Sequence, residues 1–112
     1  MKYFVKNDDR EGTCYHEFYK GRWDENKMEF WSDDSIYLHD DLMYQLKLEE
    51  LILKVIPTFT PYSETEINAY DWKIIYQKAK EDNGELKQMV EELNLWVQKV
   101  FSRYEVFTIL GI

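Results

Sequence analysis

Two histidines, one cysteine and a surplus of carboxylates are the residues of this chain with the means to do chemistry. His16-Glu17 and His39-Asp40-Asp41 offer nitrogen and oxygen donors of the kind that bind zinc, and they would form a site if the segment carrying His16 met the one carrying His39. Adjacent residues rarely converge on one metal, however, and the spacing predicts instead that Asp40 and Asp41 serve a helix start while both histidines stay partly exposed. Cys14 has no partner for an internal disulfide and is expected to be a small buried packing residue. The pairs Asp8-Asp9, Asp33-Asp34 and Glu91-Glu92 would become catalytic only where one carboxylate is desolvated beside the other; in loops and on a polar helix face they read as solvated charge. No Gly-rich phosphate loop, His-Glu-x-x-His helix or Gly-flanked serine occurs. The sequence therefore names no catalytic, metal or cofactor site, and an enzyme is not expected.

Hydrophobic periodicity predicts the elements that would position these groups. From Leu86 to Phe101 the residues Leu86, Met89, Val90, Leu93, Trp96, Val97, Val100 and Phe101 fall on one arc of a helix that lies on something flat. Val106 to Leu110 follows as a strand apolar on both faces. Lys2 to Lys6 reads as a first strand and Thr13 to Trp23 as a second. Asp24-Glu25-Asn26 is expected to close a hairpin whose other arm is Lys27 to Trp31, and residues 35–38 form either a short fourth strand or an extended approach to a helix. A helix capped by Asp40 should run to Pro57, and Ser63 with Glu66 is a capping box expected to open another over 64–80. The implied fold class is α+β: one domain over 1–112, with an antiparallel sheet of about four strands (N-terminal strand, hairpin, C-terminal strand) packed against three helices. The C-terminal strand is expected at its centre, beside the first.

The formal charge of −8 disfavours nucleic acid and anionic membrane surfaces and favours either plain solubility or a basic protein partner. No stretch approaches the length of a membrane span and the N-terminus lacks the apolar run of a signal peptide, so a cytoplasmic location is expected. Aromatic residues make up 17% of the chain, more than an ordinary core absorbs at predicted apolar positions such as Phe4, Phe18, Phe30, Trp96, Phe101 and Phe107. Trp23 and Trp31, with Asp24, Glu25, Asp33 and Asp34 around the hairpin end, combine large apolar anchors with negative charge. They form the expected partner-binding surface. The helices over 40–56 and 64–80 each carry two apolar stripes, which suggests as an alternative a non-catalytic homodimer formed through them.

In build the chain resembles the small, acidic, single-domain immunity proteins that bacteria encode beside polymorphic or contact-dependent toxins. The residues behind the likeness are the strand Lys2 to Lys6, the aromatic segment Tyr15 to Trp31, the helical middle and the closing Glu105-Val106-Phe107-Thr108-Ile109-Leu110-Gly111-Ile112. The resemblance implies a stoichiometric inhibitor that binds one toxin, often a basic nuclease domain, and blocks its active site or an essential surface.

Overall fold

The computed structural model describes residues 1–27 and 30–111. Helix α4, Glu85–Phe101, buries the expected stripe: Met89, Val90, Leu93, Trp96, Val97 and Val100 all face inward. The chain then reverses through Ser102–Glu105 into strand β5, Val106–Leu110, every residue of which is buried. Phe107 is the hub of this junction. Its ring meets Trp72 and Trp96 edge-on, at 5.8 and 5.7 Å between centroids, and stacks near Phe18 at 6.3 Å. Such pairings add to the area that each ring removes from water.

The fold is α+β, with five antiparallel strands in the order β1-β3-β2-β5-β4: β1 is Phe4–Val5, β2 Tyr15–Lys20, β3 Ile36–His39 and β4 Thr65–Asn68. Three expectations are corrected here. The partner of β2 is β3, through pairs such as Glu17↔Tyr37, and not a hairpin arm at 27–31. Lys27 ends a 3-10 turn, Phe30 and Trp31 lie outside any strand, and positions 28 and 29 fall outside the described residues. Residues 36–39 supply Ile36 and Leu38 to the core cluster, whereas Phe30 of the 27–31 segment is 55% exposed. Strand β5 does lie inside the sheet, but between β2 and β4; the two-residue β1 sits at the far edge beside β3.

The third correction concerns helix starts. The stretch after β3 is two helices, α1 (Asp40–Gln45) and α2 (Leu48–Val55), separated at Lys47, whose φ of 66° is left-handed. Across this break most of both apolar stripes turns inward: Leu42, Met43 and Leu46 pack from α1 and its C-cap, and Leu48, Leu51, Ile52 and Val55 from α2, while Tyr44 and Leu53 stay exposed. The cap of α1 is His39, whose Nδ1 accepts from the Asp41 amide at 3.1 Å, because Asp40 is engaged elsewhere. Ser63 and Glu66 do not open a helix. Thr65 and Ile67 pair with Ile109 and Phe107 instead, and α3, Ala69–Ala79, starts from Asn68, which accepts from the Asp71 amide at 2.8 Å. Pairing with β5 overrides the local capping signal.

Phe4, Phe18, Ile36, Leu38, Ile67, Phe107 and Ile109 face the helices, all within one core cluster. Because side chains alternate, Tyr15, Glu17, Tyr19, Tyr37, Thr108 and Leu110 point to the other face. Ile109 is 1% exposed, so Ile109→Asp places an unpaired charge among aromatic rings. It is expected to destabilise the protein by more than about 4 kcal/mol and abolish the cooperative thermal transition. A near wild-type melt in that variant would contradict this placement of β5.

Candidate functional site

The described residues between Lys20 and Ile36 fold back over the face of the sheet that carries no helix. What holds them there is Glu17. In the middle of β2 it alternates with Tyr15 and Tyr19, so it must point to that outer face, and covering the face buries it to 3% exposure. Its carboxylate accepts from the Trp31 amide at 2.9 Å, the Ser32 amide at 3.1 Å and the Ser35 hydroxyl at 2.6 Å. Two consecutive amides can aim at one carboxylate because Trp31 is left-handed, φ 59°, a conformation uncommon for a non-glycine residue.

Neighbouring contacts lock the same turn. The Tyr37 hydroxyl donates to the Ser32 carbonyl at 2.6 Å, and burial together with the Glu17 charge pushes its phenol far above the ordinary value. Asn7 Nδ2 donates to the Trp31 carbonyl and to Asp33, both at 2.9 Å. The Trp31 ring stacks on Tyr37 at 5.7 Å, and the Arg10 guanidinium lies 3.7 Å from the Trp31 centroid and 5.4 Å from that of Tyr37.

The sequence-derived binding residues are thereby divided. Trp31 packs against both Tyr37 and Arg10, and Asp33 is held by Asn7. Asp34 lines a cleft with Lys20, Lys99 and Arg103, where the local charge is positive. Asp24 accepts from the Asn26 amide at 2.9 Å and so shapes the 3-10 turn that begins at Glu25. Trp23 and Glu25 stand apart from the Trp31 group. Trp23 packs on Phe30 at 5.1 Å, and Phe30, expected in the core, is 55% exposed.

Across from this pair lie the approach to β4 and the end of β5, and between them run two adjoining clefts of ≈ 460 and ≈ 530 Å³ that share Trp23 and Glu64. Among the described residues their apolar lining is Trp23, Phe30, Ile56 and Leu110, and their charged lining is Glu25, Glu64 and Glu66, with no lysine or arginine. The cleft enclosed by α2, α3 and α4 mixes Lys47, Lys54 and Lys78 with Glu50, Glu81 and Asp82 and has no such bias. Glu64 and Glu66 escaped the sequence reading because the capping-box signal assigned them to a helix. Glu17 had a legible signal in the alternation Tyr15-Glu17-Tyr19.

His16 and Asp40 do meet. Nε2 of His16 lies 2.7 Å from Asp40 Oδ1, and the ring, expected to be partly exposed, is completely buried. His39 is turned to the Asp41 amide, and among the described residues no group of three or more metal-ligating side chains converges. Cys14, expected to be buried, is exposed. Among the described residues no helix is long and apolar enough to cross a membrane. No family model, curated protein or solved structure matches the chain.

Two outcomes follow from these buried groups. Glu17→Ala leaves two amides and a hydroxyl without their acceptor under the covering loop, a loss of about 3 kcal/mol in chemical denaturation. The loop should also become the first site of proteolytic cleavage, and unchanged cleavage would show that Glu17 does not hold it. The second outcome concerns His16. Burial lowers its pKa against the opposing pull of Asp40 and Glu49, with His39 adding to the lowering. Its Nδ1 is buried with no partner among the described residues, which suits a neutral ring donating through Nε2. The unfolded chain takes up this proton near 6.5 and the folded one only at lower pH, so the contribution to stability is complete above about pH 6.5 and is lost as pH falls below it. His16→Gln retains a donor for Asp40 without the titration, and should show a flatter stability profile between about pH 5 and 7.

Proposed function

We propose that this protein is a non-catalytic, stoichiometric inhibitor of a basic protein, an immunity protein that neutralises a cognate bacterial toxin domain in the cytoplasm. The observation that carries this reading is the Trp23–Phe30 cleft, where aromatic surface is lined, among the described residues, by the carboxylates of Glu25, Glu64 and Glu66 and by no cationic side chain, Arg22 lying outside the lining as the ion-pair partner of Glu66. Aromatic surface of this kind supplies contact area with little side-chain entropy to lose, and the carboxylates steer a cationic partner toward it. The overall charge of −8 acts in the same direction and opposes nucleic acid. Self-association through the helices is the weaker reading, because most of the apolar residues that had suggested it pack into the core, and Tyr44, Leu53 and Tyr70 are what these helices leave exposed.

The experiment is co-expression with the C-terminal domain encoded by the adjacent reading frame. If that domain is toxic alone, this chain should restore growth and copurify with it in a 1:1 complex. Reversing Glu25, Glu64 and Glu66 to lysine moves the formal charge from −8 to about −2 and should both slow association and speed dissociation. Reversing the exposed Asp8, Asp9 and Glu11 makes the same change in charge beside the opposite sheet edge, and should slow association only. Equal effects from the two sets would mean that the cleft is not the contact surface.

A further inference from the structure

The sheet has two edges, and the chain treats them differently. At the β1 edge the carboxylate of Glu92, reaching over from α4, accepts from the amides of Lys2, Tyr3 and Phe4 at 2.6, 2.9 and 2.8 Å. That edge has no amide left there for another strand. At the other edge the alternation of the ladder fixes which groups are free. Gly111 donates to the Ser63 carbonyl at 3.1 Å, so Ser63, Thr65 and Ile67 direct their backbone groups at β5 while Glu64 and Glu66 direct theirs outward. Among the described residues nothing pairs with those outward groups. The ≈ 460 Å³ cleft runs alongside them, lined by Ile56, Thr58, Glu64, Thr65 and Glu66, with Trp23 on the outer side.

We propose that the open edge of β4 is a docking strand: an extended segment of a basic protein partner pairs with Glu64 and Glu66, continues the sheet, and sets its cationic side chains against the acidic rim. Exposed edges are templates for strand addition, with main-chain bonds supplying affinity and alternate side chains supplying specificity. Charge selects the occupant. An antiparallel pair of two copies centred on Glu64, Thr65 or Glu66 would set glutamate opposite glutamate, an arrangement that destabilises a sheet. Arg22 spans Glu66 and Glu105 at 3.7 and 3.6 Å, but it is one cation shared by two exposed carboxylates and leaves the rim negative. The proposal rests on the reading of the protein as a binder of a basic partner and specifies how that partner is held.

The test uses a capped peptide of about seven residues alternating lysine and valine, with a matched peptide carrying proline at its centre, and follows backbone amides by hydrogen exchange and chemical shift. The alternating peptide is expected to slow exchange of the Glu64 and Glu66 amides about tenfold near saturation, and the proline peptide to leave them unchanged. Glu66→Pro deletes one outward N–H without touching the ladder to β5 and should abolish the protection, whereas Glu66→Gln, which keeps the N–H, should retain it at lower affinity. Should Glu66→Pro fail to fold, the comparison of the two peptides on the unaltered protein still decides. Shifts confined to Trp23 and Phe30 without protection at Glu66 would overturn docking at the edge and leave the acidic-cleft reading standing. Absence of any response would overturn both. Protection that grows with protein concentration in the absence of peptide would place a second copy on the edge and overturn the proposal.

Discussion

A single buried carboxylate decides whether this sheet has one covered face or two. Glu17 sits where strand alternation forces a charged group onto the outer face, and a carboxylate there is tolerable only if donors are brought to it. The chain brings two amides and a hydroxyl, all from residues 31–35. Ordering that turn draws the preceding residues over Val106, Thr108 and Leu110, which are then buried on the side away from the helices. Gly21 makes the entry possible. Its φ is +79°, and a Cβ on it would lie 2.8 Å from the ring of Tyr104, so the chain leaves β2 at a position where only glycine fits. The placement of Trp23 and Phe30 beside β4 is thus a consequence of how the loop is anchored at its far end.

The same device recurs on the other layer. Glu92 projects from α4 toward the N-terminal segment and gathers three successive amides, fastening β1 to the helix that covers the core. In both places a carboxylate replaces a missing strand or helix as the partner of backbone N–H groups. A two-residue β1 is stable at the edge because of that anchor and the packing of Phe4 on Phe18 at 5.2 Å. The sheet is therefore closed on one side by its own chain and ends on the other side at β4.

Periodicity made α4 and β5 legible because each has an uninterrupted pattern: seventeen residues of helical repeat, then five buried residues in a strand. The remaining elements depended on long-range partners that no local window contains. Thr65 to Asn68 is a strand only because Phe107 and Ile109 stand opposite it, and 40–55 is two helices because a left-handed Lys47 lets most of both apolar stripes reach one core. The candidate site was half legible. Trp23 and Glu25 line the cleft, whereas Trp31 and Asp33 belong to the anchor of the loop, a distinction set by Glu17 and Asn7 from distant positions in the chain. Composition revealed that aromatics and acid were in excess, but could not say which of them were already engaged.

Engagement is the property that separates the structural acids from those free to act on a partner. Glu17 and Glu92 each hold backbone amides, Asp40 holds His16, and Asp24 and Asp82 each close a local turn through an amide at 2.9 and 2.8 Å. Charge reversal at any of these would disturb the fold, so their contribution to the net charge is not available to binding. Glu25 and Glu64 receive no hydrogen bond among the described residues, and Glu66 meets only the exposed guanidinium of Arg22. An exposed pair of that kind contributes little and is readily exchanged for another cation. Glu25 and Glu64, with Glu66 held only by that exposed pair, stand beside a strand edge unpaired among the described residues and leave most of their hydrogen-bonding capacity for a second molecule. The acidity of this chain thus divides by engagement into one portion that folds it and another, to which Glu25, Glu64 and Glu66 belong, that is left to face outward.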